Sequence, residues 1–480
     1  MVNIIEKIPV HIGLFGHIDS GKTAIAAVLS EFISTAGIDA HPQSKERGIT
    51  IDLGFTSFIL GDYLITLVDG PGHSDLIKIS ASSVEIIDCA LLVIDITKGP
   101  QVQTGEHLIM IESLNIQNII VVLNKVDLFK GNISKEIEKI RKFFESTSFG
   151  ANIPIYAVSA KLKTGFEEFK EGILLKIQSL EIKRNTEGNL IIPIDHHFSI
   201  KGRGSVVTGT ILNGRIAINQ ILHILPIDTS GRVKSIQIFH NNVQNAEAGD
   251  RVGINFKGID VKSVYRGCYA TNNKQAFDYA NILDLEIKKN KLFKHETRFG
   301  TQVHVTIGMV TSVGYVFPYY KLNQKRVQID VIEGKNTFNA FLWLNEKVLV
   351  NKVKNLMLIS RLDLPPTTLR ILGAATILNV LKDPPTLYKF KIKKGIITNP
   401  QHSQGIICSG LANSLEGAKK IIGRTLETPY TKVLSPFGTK GAVIVGVKDN
   451  ISKIEKGDFV VLKDLRSFKL NPKKYLKGQS

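Results

Sequence analysis

Apolar residues recur along the first 180 positions in runs of strand length: "VHIGLFG", "YLITLVDG", "CALLVIDI", "NIIVVLNKVD" and "IPIYAVSA". Between them lie helix-like stretches such as "TAIAAVLSEFIS" and "GFEEFKEGILLKIQSL". Strand and helix in alternation predict a mostly parallel α/β sheet. Polar "EIKRNTEGN", residues 181–189, reads as a linker. Beyond it helical period is scarce. The runs "GSVVTGTI", "DRVGINFKG", "TQVHVTIGMV", "RVQIDVIEG" and "NLMLISRLDL" are short, β-branched and spaced by Gly, Asn and Asp, a rhythm that predicts barrels. A second β unit opens near residue 278 at "YANILDLEI", and Pro384-Pro385 forms a stiff boundary before the final segment. The expected architecture is multidomain: an α/β domain over 1–182, then three β-barrel domains over 188–273, 278–383 and 387–480.

Composition narrows the class. With 43% hydrophobic and 22% charged residues the 480-residue chain can bury real cores. It has no apolar run of about 18 residues that would span a bilayer. The start, "MVNIIEKIPVHIGLFG", has no basic n-region and reads as lead-in plus first strand rather than a signal peptide. Cys89, Cys268 and Cys408 are widely spaced without a C-x-x-C pair, which argues against zinc and disulfides and fits a cytoplasmic protein. The formal charge of +18 points to a polyanionic partner, most simply RNA. Residues 387–480 hold 18 Lys and Arg against 6 Asp and Glu, a net of +12, so RNA or ribosome contact is expected there. The aromatics of that segment, Tyr388, Phe390, Phe468 and Tyr475, could stack on RNA; most of them read as barrel core.

Four motifs, each ending an apolar run, carry the chemistry. Gly16-His17-Ile18-Asp19-Ser20-Gly21-Lys22-Thr23 matches G-x-x-x-x-G-K-[ST] between a strand and a helix. Backbone amides from Asp19 to Thr23 would wrap phosphate oxygens at the helix N-terminus. Lys22 would reach the β- and γ-phosphates and Thr23 would ligate Mg²⁺. Asp69-Gly70-Pro71-Gly72-His73 follows: Asp69 can hold Mg²⁺, usually through water, Gly72 can offer its amide to a γ-phosphate, and His73 can position the attacking water. In Asn124-Lys125-Val126-Asp127, the Asp127 carboxylate can accept from N1–H and the 2-amino group of guanine, a donor pair adenine lacks. The Lys125 stem can pack over the base. Ser159-Ala160-Lys161 completes the set, with the Ala160 amide facing guanine O6. The first domain is therefore read as an α/β P-loop GTPase that binds GTP and GDP with Mg²⁺.

Between the first two motifs, "KERGITIDLGF" resembles the first switch of the translational GTPases. That resemblance implies that Thr50 closes on Mg²⁺ and the γ-phosphate, and that Ile18 and Ile49 form an apolar gate holding His73 away from the water until the ribosome triggers hydrolysis. "FSIKGRGSVVTGTI" looks like the second-domain start of an elongation factor Tu-type carrier. Nearly the whole chain is similar to the archaeal form of the selenocysteine-specific elongation factors, SelB, on the strength of "RGITIDLGF", "IDHHFSIKGRG" and a basic fourth domain. The partners implied are selenocysteyl-tRNA, the ribosome at recoded UGA codons, and the selenocysteine insertion hairpin, met directly or through an adaptor; no membrane and no zinc are implied.

Against the general factor, which has an acid where His196 stands and an amide where Arg251 stands, both residues here add or can add positive charge. A selenol ionises near neutral pH and a serine hydroxyl does not. His196 and Arg251, with Asp195 orienting His196, are thus expected to form the selenocysteine pocket. A metal at Asp195-His196-His197 is disfavoured, because neighbours on a strand face opposite ways. The alternatives are another carrier of aminoacyl- or initiator-tRNA and, more distantly, a GTPase subunit of sulfate activation, which has no use for a +12 tail.

Overall fold

The computed structural model describes residues 6–33, 54–70, 86–200, 204–334, 336–353, 356–448 and 454–472. It divides into two compact units: Met1–Val316 with Ile332–Lys382, and Phe317–Val331 with Asp383–Ser480.

The first unit opens with an α/β sheet. Its strands are β1 (Ile8–Phe15), β2 (Phe32–Ile33), β3 (Gly54–Leu60), β4 (Tyr63–Asp69), β5 (Cys89–Asp95), β6 (Ile119–Asn124) and β7 (Ile155–Ala157). They lie in the order β2-β3-β4-β1-β5-β6-β7. Helices α1 (Lys22–Leu29), α2 (Val102–Ser113), α3 (Ile133–Glu145) and α4 (Phe166–Gln178) accompany it. All seven residues of β5 are buried, as a strand covered on both faces requires. Two details depart from the sequence pattern. The stretch "TAIAAVLSEFIS" leaves the helix after Leu29: Ser30 turns extended, and Phe32 and Ile33 pair antiparallel with Ser57 and Thr56. Strand β3, unrecognised in the apolar pattern, runs antiparallel to β4 and sets Gly54 opposite Asp69.

The second barrel comprises β8 (Ile191–Ile200), β9 (Gly204–Thr210), β10 (Arg215–Ala217), β11 (Ile221–Leu225), β12 (Thr229–Ile238), β13 (Asn241–Val243), β14 (Asn245–Glu247), β15 (Arg251–Lys257) and β16 (Tyr269–Thr271). The order β11-β16-β8-β9-β15-β12-β13 closes through β11–β12, with β10–β14 apart. The third holds β17 (Phe277–Lys289), β18 (Thr301–Ile307), β19 (Val310–Leu322), β20 (Lys325–Gln328), β21 (Thr337–Asn351), β22 (Leu356–Ser360) and β23 (Ile371–Leu381). There β18-β22-β23-β17-β21-β19 closes through β18–β19. The residues of β19 from Phe317 onward, with β20, belong to the second unit.

The segment expected to be a linker is anchored. Arg184 donates to Asp88 at 2.5 Å, and Asp88 also accepts the His11 amide at 2.9 Å. The His11 imidazole donates through Nε2 to Gly249 O at 2.7 Å, and burial lowers its pKa to about 4. The third barrel is tied on by a buried pair: Arg370 donates from Nε and Nη2 to Glu106 of α2 at 2.9 and 3.1 Å. Arg370→Ala should lower the first thermal transition by the equivalent of about 3–5 kcal/mol, because it strands a buried carboxylate. The double variant Glu106→Leu/Arg370→Met should recover most of that loss by calorimetry; an equally unstable double variant would show that the charge pairing is not the cause.

In the second unit β24 (Thr386–Asn399), β25 (Ile406–Ser409), β26 (Tyr430–Phe437), β27 (Ala442–Val447) and β28 (Phe459–Lys469) take the order β28-β24-β25-β27-β26, with a short helix α5 (Leu415–Lys419). A bridge from Leu426 to Leu462 returns the segment ahead of β26 to β28. The core gathers Ile397, Val433, Val443, Val460 and Leu462. Tyr388 and Phe468 are half-buried and Phe390 exposed, with Lys325 and Lys389 against the Tyr388 and Phe468 rings. The expectation of core aromatics therefore fails for these three. They stand on the β24–β28 ribbon, beyond its core-facing stretch. Tyr475 lies outside the described residues.

Candidate functional site

The phosphate loop follows β1 and delivers its chain into α1. Gly16 and Gly21 have φ of 137° and 93°. A Cβ on Gly16 would lie 2.1 Å from Val93 O, and one on Gly21 would lie 2.1 Å from Asn124 Nδ2. Only glycine fits either place. Lys22 is buried and donates to Gly16 O at 3.2 Å and His17 O at 3.0 Å; burial lowers its pKa. Ser20 Oγ and His17 Nδ1 are buried with no hydrogen-bond partner among the described residues. Such orphaned groups need a ligand or water to satisfy them. Thr23 Oγ1 donates to Asp69 Oδ2 at 2.7 Å, so two hard oxygen groups from separate motifs meet. They suit Mg²⁺ by donor type.

Helix α2 braces this loop, a role the sequence did not reveal. The Gly16 amide donates to His107 Nδ1 at 3.0 Å and the Ile18 amide to Gln103 Oε1 at 3.2 Å. Burial, then the nearby Lys22 charge, lowers the His107 pKa to about 3, which keeps that nitrogen an acceptor.

The base-recognition motifs converge on the same place. Asn124 donates to Ser20 O at 3.0 Å and accepts from the Ala160 amide at 3.1 Å. The Ala160 amide, expected to face guanine O6, is thus engaged by Asn124 here. Ser159 donates to Asp127 Oδ1 at 2.6 Å. Lys125, at φ 68°, donates to Asp95 at 2.8 Å. Burial pushes Asp95 up, but the bonds from Lys125 and Thr97 outweigh it and its pKa is lowered. Lys161 is exposed. Thr50, Ile49, Gly72 and His73 lie outside the described residues.

The second cluster sits on the second barrel. Arg251 opens β15 and donates to Asp195 through Nη1 at 2.6 Å and Nη2 at 3.0 Å. Thr208 donates to Asp195 Oδ1 at 2.6 Å, and His196 Nδ1 lies 2.9 Å from the same oxygen. Alternation would send Asp195 and His196 to opposite faces. A register shift between Ile194 and His196 makes Asp195 the extra residue of a bulge and brings both side chains together. Burial raises the Asp195 pKa, but the Arg251 charge and the bonds from His196 and Arg251 hold it well below the usual carboxylate range. Asp195, expected to orient His196, here also pairs with Arg251. His197 is exposed.

Phe55, the last residue of "KERGITIDLGF", covers this cluster. Its ring centroid is 3.3 Å from the Arg251 guanidinium carbon, and it meets His196 edge-on at 6.0 Å. Arg251 Nε and Thr210 Oγ1 are buried with no hydrogen-bond partner among the described residues. Beside Arg251 opens a cavity of about 560 Å³ lined by Thr208, Lys234, Gln237, His240 and Asn242. None of these five was legible in the sequence, because only the barrel register brings them together.

Residues 7–179 match the elongation factor Tu GTP binding domain and 204–271 elongation factor Tu domain 2. Residues 280–381 match domain III of the archaeal selenocysteine-specific elongation factor. The chain is 40% identical over 477 residues to the selenocysteine-specific elongation factor of Methanocaldococcus jannaschii, across 98% of this chain and all of that one. The chain belongs to the selenocysteine-specific elongation factors. The mouse factor of that name is 39% identical over 64% of this chain and 56% of its own length. The crystal structure of SelB from Methanococcus maripaludis with the GTP analogue GppNHp superposes with a TM-score of 0.79 at 35% identity, covering 96% of this chain and 99% of that one. A bacterial selenocysteine-specific elongation factor gives 0.65 at 25% identity, over 78% and 59%. As a member of this family the chain is a translational GTPase that binds guanine nucleotide and hydrolyses GTP, and its α/β-then-barrel plan is that of the family. Among the described residues no helix is long and apolar enough to cross a membrane.

Proposed function

We propose that the chain carries selenocysteyl-tRNA to the ribosome at recoded UGA codons, in the cytoplasm, and releases it on ribosome-stimulated GTP hydrolysis. The observation that carries this reading is the buried Arg251 Nε without a partner among the described residues, beside Asp195 and His196. A buried guanidinium N–H aimed at no acceptor gains more from an anionic side chain than from a neutral hydroxyl, because the charge-assisted bond is roughly twice as strong. The adjoining cavity takes the aminoacyl end of the tRNA. Competition between selenocysteyl- and seryl-tRNA for the GTP-loaded chain tests it; equal affinities would refute the pocket.

At the nucleotide, amides from Asp19 to Thr23 hold the phosphates, and Lys22 leaves the loop carbonyls to reach them. Thr23, Asp69 and Thr50 would hold Mg²⁺, which would neutralise charge on the β- and γ-phosphates. Gly72 senses the γ-phosphate, and His73 positions water once the gate of Ile18 and Ile49 opens. Asp127, steadied by Ser159, selects guanine, and Asn124, Lys125, Ala160 and Lys161 frame the base. Asp127→Asn should weaken GTP by at least about 100-fold, since two hydrogen bonds to a charged group are together worth roughly 3 kcal/mol or more. The same variant should favour xanthosine triphosphate, whose 2-oxo group accepts from an amide. Titration with both nucleotides checks this, and an unchanged GTP affinity would remove Asp127 from base recognition.

The final basic domain, 387–480, meets RNA or the ribosome, and the insertion hairpin directly or through an adaptor. Lys389, Lys391 and Arg466 share one side of the β24–β28 ribbon and suit phosphate contact. The functional divisions of this reading are 1–182, 188–273, 278–383 and 387–480.

A further inference from the structure

The other side of that ribbon has the wrong polarity for a wet surface. In an antiparallel pair directly opposed residues share a face. Lys393 with Leu462, Gly395 with Val460, and Ile397 face the core. The pairs Phe390 with Leu465, Ile392 with Lys463, Lys394 with Val461, and Ile396 with Phe459 therefore look outward. Exposure is 38% at Phe390, 56% at Ile392, 45% at Ile396 and 65% at Phe459. A solvated antiparallel face should be polar, and a continuous apolar stripe of this kind marks an interaction site.

We propose that this stripe is a docking surface for an amphipathic helix of a protein partner, apolar on one side and flanked by acids. Three observations select that occupant. Lys394 and Lys463 stand within the stripe and no acid shares its face; Glu427, from the neighbouring segment, reaches Lys463 from the edge. Like charges oppose a second copy of this chain seated face to face. Four of the stripe's six apolar side chains, Ile392, Ile396, Val461 and Leu465, are aliphatic and give nucleic-acid bases no π-face to stack on. Its two phenylalanines stand at opposite ends, six residues apart along β24, which is about 20 Å at the strand rise. A helix of about 13 residues spans the same length.

The test uses the full chain with GTP and a labelled designed peptide carrying leucines at helical spacing and glutamates on its flanks. A lysine-flanked version and a labelled 12-nucleotide single-stranded RNA serve as comparisons. The glutamate peptide should bind at least tenfold tighter than the lysine peptide. The exposed double variant Ile392→Ser/Phe459→Ser should weaken it at least tenfold, with nucleotide affinity, thermal midpoint and RNA binding unchanged. Absence of a charge preference overturns the proposal. So does RNA binding that falls in the double variant, which makes the stripe a base-stacking surface. A dimer seen by sedimentation equilibrium and abolished by the double variant overturns it in favour of a second copy.

Discussion

Replacing Arg251 by Gln should remove most of the preference for selenocysteyl-tRNA over seryl-tRNA, about 30-fold or more, on the 2–5 kcal/mol that truncating a buried charged contact costs. The geometry explains why the effect should fall on one substrate. Arg251 is held by both Asp195 oxygens and covered by Phe55, so it cannot swing away to solvent. Without it, Asp195 is a buried acid beside the pocket, and a selenolate arriving there meets repulsion where it had met attraction. Serine carries no charge to repel. The single variant also risks stability, since breaking a buried pair costs about 3–5 kcal/mol. The double variant Asp195→Asn/Arg251→Gln removes both charges and should fold more nearly as the parent does, still without discrimination. Affinities measured by protection of each aminoacyl ester from hydrolysis decide the matter. Retained preference in the double variant would sink the electrostatic pocket.

His73→Ala should leave GTP affinity within about twofold and slow ribosome-stimulated hydrolysis by about 10²–10⁴-fold, the usual worth of a positioned acid–base group. In sequence His73 follows Asp69 by four residues, and Asp69, the last residue of β4, meets Thr23 of the phosphate loop. In the role proposed above, His73 acts on water near the γ-phosphate and touches neither the base nor the α-phosphate. Single-turnover hydrolysis with and without ribosomes separates the two effects. Equal stimulated rates would take His73 out of the mechanism, and a large loss of GTP binding would recast it as structural.

The nucleotide site was readable because its groups are local. Each motif is a few residues long, sits at a strand end, and keeps its geometry through backbone turns that glycines such as Gly16 and Gly21 announce. What escaped was long-range. Gln103 and His107 brace the phosphate loop from a helix some 90 residues downstream. Phe55 lies in a segment that resembles a switch, and nothing in its sequence neighbours foretells that it covers Arg251 of another domain. Thr208, Lys234 and His240 converge only through barrel register. Strand β3 was missed beside the switch motif. The end of α1 was misplaced because an apolar stretch such as "AAVLSEFI" suits a helix or a strand until a partner strand chooses. Asp195 was read as the orienter of His196, and the pairing with Arg251 that outweighs that role lay 56 residues away.

In the proposed selenocysteine pocket, the bulge at Asp195 makes chain length part of the substrate code. A related protein could spell Asp-His at this point of its second barrel and yet, lacking the extra residue, turn one of the two side chains inward and leave the other outside. Deleting one residue upstream in β8 would keep every letter of the cluster and dissolve the cluster itself. Identity at these positions is then a poor guide to what such a factor carries; the count of residues between Ile194 and the Thr208 register is a better one.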